Sequence, residues 1–445
     1  MEVTTSKSPT ATSYEHSEVN KKKLFLIGLF AITTAGISFS LRSSIAGDIQ
    51  TVFFDPIDAV HSAGMLGAAL GVAFLGFALT IALGSPMLDF LGMRNVLTIS
   101  SFSFITGTLI TIFADRIASG AGVYRVVWFG MLFSGIGWGS METVINPLTT
   151  TLYPEDKTHK LNVMHAWWPG GIIMGGLIGL AIGAIHMSWR IKFAVVLIPA
   201  LATLFMLIGA KFPKTERAAA GIPAGEMFKQ AIRPSFLVWF FAMFLTAASE
   251  LAPGQWVNMA LTRTVHMQGI WLLIYVSGLM FVMRHFAGTM VHKLSSVGLL
   301  WVSCLLASLG LLALSVANSP FMGILAATIW GIGVCYMWPT MLAAASERFP
   351  RGGALVMGLI GTAGSLSIWF VLPEMGKIFD KAKIAAAGGE EAFKSLAGDQ
   401  LNQVLIQASA ASFRTVAILP AILLLVFGAI WLKDRASGGY KPEKL

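Results

Sequence analysis

Charged side chains are scarce in this chain of 445 residues: Asp, Glu, Lys and Arg make up 12% of it, and hydrophobic residues make up 56%. A typical soluble domain carries about 25% charged residues. The mean hydropathy is +0.74, so there are too few polar side chains to cover a surface in water. The composition therefore excludes a soluble globular enzyme, a disordered protein and a protein that binds nucleic acid.

Cysteine is nearly absent as well, and Cys304 and Cys335 both lie inside apolar runs. This pattern excludes a disulfide framework and a zinc site with cysteine spacing. The sequence also lacks a Walker A motif, an HExxH motif and a nucleophile elbow, which are signatures of ATP binding, metalloproteases and hydrolases. We therefore expect neither an enzyme nor an ATP-driven pump, and no cofactor or metal ion.

Long apolar stretches are what the chain has in abundance. A helix that crosses the hydrocarbon core of a bilayer needs about 20 mostly apolar residues. Twelve stretches meet this condition, and they lie near residues 24–47, 61–85, 95–114, 121–150, 159–185, 190–212, 235–262, 267–292, 297–317, 320–347, 353–378 and 410–433. The sequence predicts an all-α integral membrane protein with twelve transmembrane helices.

Lys and Arg are distributed unevenly between the two sides that these spans define. Nineteen of the 31 basic residues lie on the side of the N-terminus and nine on the other side. Because cytoplasmic loops are enriched in Lys and Arg, we expect both termini in the cytoplasm. We also expect a multi-pass protein of the plasma membrane, specifically of a bacterial inner membrane. The excess of basic residues then reflects topology and contact with anionic lipid headgroups rather than a nucleic-acid partner.

The chain divides near its middle. The predicted units are an N-terminal tail (1–23), a six-helix bundle (24–212), a charged, Pro-containing linker (213–234), a second six-helix bundle (235–433) and a C-terminal tail (434–445). Span six opens with Ser-Trp-Arg at 188–190 and span twelve with Ser-Phe-Arg at 412–414, and each has a Pro shortly afterwards. Such matches favour a duplicated unit, and two repeats with a site at their interface are typical of secondary transporters. We expect a monomer.

Ionisable groups at membrane depth are costly and are functional candidates by default. Glu142 is the strongest, because about twenty residues of span four precede it and Asn146 follows one helical turn later on the same face. A carboxyl group in low dielectric can hold a proton near neutral pH, which suits a proton-coupled carrier. Arg42 in span one needs a carboxylate, and Glu142 and Asp48 are the candidates. Two alternatives stay open: a permanent Arg42–Glu142 pair, and Asp48 as a solvated acid at the membrane surface.

Aromatic and polar side chains in three other spans are candidates for binding the solute. His165, Trp167 and Trp168 in span five could contact a sugar by stacking and hydrogen bonds, although buried Trp residues also commonly just pack. In span seven, Glu250 precedes Pro253-Gly254, which we expect to break the helix and line a cavity. The broken helix would present Gln255, Trp256 and Asn258, and span ten adds Tyr336 and Trp338. The alternative in span seven is a simple kink with one buried, hydrogen-bonded Glu.

The loop between spans two and three, from Ser85 to Arg94, resembles the loop signature of the major facilitator superfamily. Asp89, Gly92 and Arg94 match that signature, while Ser85, Phe90 and Met93 depart from it. With twelve spans in two halves, the resemblance covers the whole chain. It implies the major facilitator fold, with Asp89, Gly92 and Arg94 as a conformational latch on the cytoplasmic side.

Within that superfamily, the stretch from Gly139 to Pro147, followed by Leu161-Asn162 and a Gly-rich span five, resembles the fucose–galactose–glucose:proton symporter group. The resemblance implies that Glu142 is a proton and sugar site with Asn146 beside it, and it adds Asn162 to the candidates. An acidic residue of span one belongs to that site in the group. Asp48 could match it, whereas Arg42 departs from the pattern.

We therefore predict a secondary transporter that moves a small polar solute of the monosaccharide class by alternating access with proton symport. Its partners would be the solute, a proton and the lipid bilayer. One alternative is an exporter of amphipathic drugs or lipids, which the many Met and Phe residues could serve. The others are a sugar uniporter without coupling, and a membrane receptor or enzyme that transports nothing.

Overall fold

The computed structural model describes residues 19–58, 62–264, 269–440 and 442–443. Within these ranges the regular structure is helical throughout, with no strand. Some side chains inside the helices are not described, among them those of residues 254–264. The expectation of an all-α membrane protein is confirmed.

Twelve long helices form the described part of the chain. They are α1 (Lys21–Ser44), α2 (Ser62–Leu91), α3 (Met93–Ile112), α4 (Gly122–Leu152), α5 (Lys157–Ala184), α6 (Trp189–Met206), α7 (Pro234–Thr264), α8 (Gly269–His285), α9 (Ala287–Leu314), α10 (Pro320–Arg348), α11 (Gly353–Ala387) and α12 (Gly398–Ala436). Ten of them are long and apolar enough to cross a membrane in the described part of the chain. The other two are α4, which carries Glu142 and Asn146, and α8, which has 17 residues.

Several helix ends differ from the predicted spans. Helix α11 continues to Ala387 and α12 begins at Gly398, so both extend beyond the apolar stretches that predicted them. The predicted eighth span is divided, because α8 ends at His285 and α9 begins at Ala287. Helix α9 then changes direction at Ser295, whose φ of 63° is left-handed, at the boundary predicted between spans eight and nine.

Close contact between helices depends on small residues. On α5, an added Cβ at Gly171 would lie 2.6 Å from the carbonyl oxygen of Thr33 on α1, and at Gly175 it would lie 3.0 Å from that of Ile37. No side chain fits at the first of these positions without moving a backbone. The Gly-rich sequence of span five therefore serves to bring α1 and α5 together, as small residues do in membrane helix pairs.

The linker between α6 and α7 contains two short helices, Glu216–Ala219 and Ala224–Ala231. We call the end of the bundle where it lies the linker end. There the first six helices contact the last six: Thr158 Oγ1 lies 2.9 Å from Glu347 Oε1 and 3.2 Å from Ser296 Oγ. The backbone N–H of Gly288 also donates to Nδ1 of His159 at 3.1 Å. The structure is thus closed at the linker end.

Candidate functional site

A cavity of about 30 Å³ lies between the two groups of six helices. Its lining comes equally from both groups: Phe77, Trp138, Glu142, His165 and Trp168 from the first, and Glu250, Leu251, Arg284, Trp338 and Ile368 from the second. The space suits a few water molecules. A larger solute would enter only if the two groups moved apart.

Aromatic rings form one wall of the cavity. Phe77 and Trp138 are stacked with centroids 4.6 Å apart, and Trp138 and Trp168 are stacked at 6.1 Å. Trp338 of the second group lies 6.5 Å from Phe77 with nearly parallel planes. The indole Nε1 atoms of all three Trp residues are buried, and no described group accepts a hydrogen bond from them. They are donors available to whatever enters the cavity.

Glu142 is held by neutral groups on two helices. Nδ2 of Asn146 donates to its Oε2 at 2.7 Å and to its backbone carbonyl at 3.0 Å. Since the amide nitrogen of Asn146 faces Glu142, its Oδ1 is free to accept a hydrogen bond from Nε2 of His165 at 2.8 Å. His165 Nε2 also lies 3.9 Å from Glu142 Oε2. The carboxyl group of Glu142 is therefore buried, and the described side chain that hydrogen-bonds it carries no permanent positive charge.

Arg284 on α8 is the cation of the cavity, and it is 1% exposed. Its Nη2 donates to Oε1 of Glu250 at 3.2 Å. Its Nη1 donates to the carbonyl oxygen of His165 at 2.8 Å, and its Nε to that of Cys335 at 2.5 Å. One side chain thus connects α8 with α5, α7 and α10.

The two carbonyl groups that Arg284 binds are made available by proline. A proline has no N–H, so the carbonyl four residues earlier in a helix loses its usual partner. Pro169 leaves the carbonyl of His165 without a donor, and Pro339 leaves that of Cys335 without one. Arg284 supplies both missing hydrogen bonds.

Pro253 acts in the same way, and here the expectation of a broken helix is wrong. Helix α7 runs without interruption from Pro234 to Thr264. The carbonyl of Ser249, which Pro253 cannot serve, accepts a hydrogen bond from Nε1 of Trp330 on α10 at 3.3 Å. Because a neighbouring helix satisfies the freed group, the segment stays helical. The side chains of Gln255, Trp256 and Asn258 lie outside the described residues.

Arg42 and Asp48 take different positions from Glu142. Arg42 is buried, and its one described hydrogen bond runs from Nε to the carbonyl oxygen of Ser38 at 3.4 Å. Asp48 lies in the short helix Ala46–Ile49, where its half-exposed carboxylate is 4.0 Å from Nζ of Lys192. Neither residue lines the cavity, and within the described ranges Arg42 forms no ion pair with either acid.

Three other predicted binding residues are not among those that line the cavity. Trp167 packs edge-on against Phe281 with centroids 5.5 Å apart. The hydroxyl of Tyr336 donates to the carbonyl oxygen of Met283 at 2.9 Å. Asn162 donates to the carbonyl of Thr158 at 2.8 Å and to Oγ1 of Thr340 at 3.3 Å, nearer the linker end. These residues connect helices around the site.

The predicted latch residues lie at the linker end. The carboxylate of Asp89 is ion-paired with Arg217 and accepts a hydrogen bond from Oγ1 of Thr215 at 2.7 Å, so it binds the linker. Gly92 has a φ of 79° and makes the turn between α2 and α3. Arg94 is exposed, and no described residue pairs with its guanidinium group.

Sequence reasoning did not assign three central residues: Arg284, Trp138 and Phe77. Arg284 is a charged residue in the predicted eighth span, but its partners lie on three other helices. A usable signal was present in the prolines of spans five and ten, since each frees a carbonyl that needs a buried donor. Phe77 and Trp138 carry no comparable signal, because aromatic residues in such spans are more often packing.

The fold and the cavity define a membrane carrier built from two six-helix groups around a central polar site. The sequence from residue 24 to residue 371 matches the family model of the Major Facilitator Superfamily. The chain therefore belongs to the Major Facilitator Superfamily, and it is a transporter rather than an enzyme.

Solved structures of similar fold include three transporters. The proton:xylose symporter XylE of E. coli, bound to 6-bromo-6-deoxy-D-glucose, has a TM-score of 0.70 and 17% identity, covering 92% of this chain and 95% of its own. The E. coli fucose:proton symporter FucP has a TM-score of 0.67 and 15% identity, covering 90% and 98%. The human organic anion transporter MFSD10 has a TM-score of 0.69 and 12% identity, covering 92% and 100%. At these identities the likeness concerns the fold. A comparison with curated protein sequences gives no match.

Proposed function

We propose that the chain is a monomeric secondary transporter that carries a solute of the monosaccharide class together with a proton, by alternating access. One observation carries the proposal: the carboxyl group of Glu142 is buried at the interface of the two helix groups, and the described side chain that hydrogen-bonds it is the neutral Asn146. Such a group can change its protonation state without breaking an ion pair. The aromatic wall and the unpartnered indole N–H groups suit a polyhydroxylated ring.

Protonation of Glu142 would reach the other half through three side chains. Once protonated, the Glu142 carboxyl group donates a hydrogen bond, and Asn146 then turns its amide oxygen towards it. The amide nitrogen of Asn146 faces Nε2 of His165, which must change tautomer to accept. His165 is tied through its backbone carbonyl to Arg284, and Arg284 to Glu250. Protonation of Glu142 on α4 would thus change the hydrogen bonds that Arg284 on α8 makes with α7 and α10.

The remaining assignments follow from this proposal. Asp48, paired with Lys192, would not carry the proton. Asp89 would hold the linker in the closed state. The linker end would face the cytoplasm of a bacterial cell, because its loops hold most of the basic residues.

Glu142→Gln tests the proton role in proteoliposomes. The substrate would first be selected by a thermal-shift screen over neutral and acidic monosaccharides, since a ligand stabilises the folded state that binds it. We expect Glu142→Gln to abolish uptake driven by a pH gradient and to retain counterflow, which needs no proton movement. The matched control is Glu155→Gln, which removes an exposed carboxylate between α4 and α5; it should transport like the wild type.

Three results would contradict the proposal. Wild-type uptake that ignores the pH gradient would indicate a uniporter. Accumulation of the solute by Glu142→Gln in response to the pH gradient would show that this residue does not carry the proton. Stabilisation by amphipathic drugs, with no response to any monosaccharide, would favour an exporter.

A further inference from the structure

Arg42 is a buried cation that has no carboxylate partner among the described residues. It is 5% exposed, and within the described ranges its one hydrogen bond goes to the backbone carbonyl of Ser38. A guanidinium group stays protonated in proteins, and a charge at membrane depth needs a counter-charge or a polar cavity. Arg284 has such a counter-charge in Glu250. Arg42 has none among the described side chains, although it is buried as well.

Arg42 lies on α1 one turn after Phe39, and Phe39 packs against the aromatic wall of the cavity. Side chains in a helix point back towards its N-terminus, and the hydrogen bond to Ser38 places Nε one turn back along α1. Phe39 is in that same turn, and its ring lies 6.2 Å from Trp138 and 5.6 Å from Trp168. Both Trp residues line the cavity.

Hydrogen-bond donors without a described partner lie on this turn and on the two Trp residues whose rings contact Phe39. The Nε1 atoms of Trp138 and Trp168 and the hydroxyl of Ser38 are buried, and no described group bonds them. Together with the guanidinium group of Arg42, they form a set that is short of acceptors. A carboxylate supplies two acceptor oxygens and matches the fork of a guanidinium group.

The charge balance of the interior gives an independent argument. Four charged side chains are buried in the described parts of the twelve helices: Arg42, Glu142, Glu250 and Arg284. With Glu142 ionised and His165 neutral, they sum to zero. A proton that enters with a neutral sugar leaves a net charge of +1, whereas a proton that enters with a monoanion restores zero. An uncompensated charge in low dielectric is disfavoured. The carrier changes conformation when it is empty and when it holds both the proton and the solute, and both of these states are neutral only if the solute is a monoanion.

We propose that the solute is a monosaccharide with a single carboxylate, such as a hexuronate, and that Arg42 binds this carboxylate beside Trp138 and Trp168. The inference rests on the proposed function and narrows its substrate class. The sugar ring would lie along the aromatic wall, and the proton on Glu142 would remove the one negative charge that is not paired with an arginine. Entry of the anion and of the proton would then favour each other.

Transport of one proton with one monoanion moves no net charge, and this property provides the test. Proteoliposomes would be given a pH gradient or an inside-negative potassium diffusion potential, each imposed separately. The probes are D-glucuronate and D-galacturonate, with D-glucose and D-galactose as their neutral counterparts. We expect uptake of an acid to follow the pH gradient, to ignore the potential, and to exceed that of its neutral counterpart by about 10-fold or more. Glucose 6-phosphate, which carries a second negative charge near neutral pH, should not be accumulated.

Variants of Arg42 locate the binding group. Loss of a charged hydrogen bond corresponds to about a 10- to 100-fold rise in KM for the acid, which we expect for Arg42→Gln. Arg42→Lys keeps the charge and should have an intermediate KM even if Arg42→Gln does not fold. The control is Arg414→Gln, which removes an exposed guanidinium group bonded to Ser315 and should leave KM unchanged.

The possible failures are distinguishable. Uptake of a neutral sugar that increases with the inside-negative potential, without uptake of the acids, would overturn this inference and leave the proposed function intact. Uptake of glucose 6-phosphate in preference to the acids would replace the carboxylate by a phosphate and also overturn it. Failure of all neutral and acidic monosaccharides would overturn both.

Discussion

At the scale of single residues, the interior depends on how each buried charge is compensated. Arg284 has a carboxylate and two carbonyl groups as partners, and Glu250 depends on Arg284 for its described ion pair. Removing one member of a buried pair leaves an uncompensated charge and costs about 3–5 kcal/mol, whereas removing both costs much less than the sum. The pair therefore behaves as one unit.

We predict that Glu250→Gln and Arg284→Gln each lower the melting temperature in detergent, and that the double variant loses less than the two losses added together. The expected coupling is about 1–3 kcal/mol. The matched control is the pair of Arg348 and Asp434 at the linker end, whose side chains are 18% and 17% exposed. Its cycle with Gln and Asn should show a smaller coupling, because water competes with the pair. Additive losses at Glu250 and Arg284 would contradict the prediction.

The polar site residues of the first half could be predicted from the sequence, whereas the ion pairing of Arg42 could not. Glu142, Asn146 and His165 were predicted from position in the span and from resemblance, and the structure brings their side chains into one hydrogen-bonded row. Arg42 was predicted to pair with an acid because lone arginines need one. Among the described residues it pairs with neither Glu142 nor Asp48, because the rotation of a helix, which the spacing along it does not determine, sets which groups its side chains reach.

At the scale of helices, prolines inside the spans organise the site. The prolines of α5, α7 and α10 leave carbonyl groups at 165, 249 and 335, and side chains of other helices serve all three. The prediction of a break in α7 was wrong because it treated the helix alone. A freed carbonyl breaks a helix only if nothing nearby satisfies it, and neighbours are set by packing rather than by local sequence.

Pro339→Ala should separate helix stability from function. The new N–H can donate to the carbonyl of Cys335 in place of Nε of Arg284, and proline in a helix interior costs about 3 kcal/mol relative to alanine. We therefore expect a melting temperature at or above that of the wild type. Arg284 loses a buried acceptor worth about 1–3 kcal/mol, so transport should fall about 10-fold.

Pro420→Ala on α12 is the matched control for this variant, because Pro420 is also buried inside a helix of the second half. It should be at least as stable as the wild type and transport normally. Wild-type uptake by Pro339→Ala would show that the hydrogen bond to Cys335 has no part in positioning Arg284.

At the scale of the whole molecule, the two helix groups are closed against each other at the linker end, and the closeness of α2 and α11 is central to this. An added Cβ at Gly358 on α11 would overlap the side chain of Ser85 on α2, and at Gly361 it would lie 2.7 Å from Cδ1 of Ile81. The sequence predicted twelve spans, two halves and a loop that acts at this end. It did not predict which helices of the two halves touch, because inter-helix contacts are set by the relative placement of both groups.

A larger side chain at Gly358 should therefore keep the linker end from closing. We predict that Gly358→Leu shifts the carrier towards a state open at that end, with transport reduced about 10-fold or more and Gly358→Ala intermediate, because overpacking costs about 1–3 kcal/mol.

The readout is maleimide labelling of a Thr150→Cys reporter, since Thr150 on α4 is 2% exposed in the closed structure and the native Cys304 and Cys335 are buried. Labelling should be slow in the reporter alone and fast with Gly358→Leu. Gly278→Leu on α8, where an added Cβ has no atom within 4 Å, should label as slowly as the reporter alone. Slow labelling with Gly358→Leu would mean that α2 and α11 separate little during transport, and that closure depends instead on contacts such as those between Thr158 and Glu347.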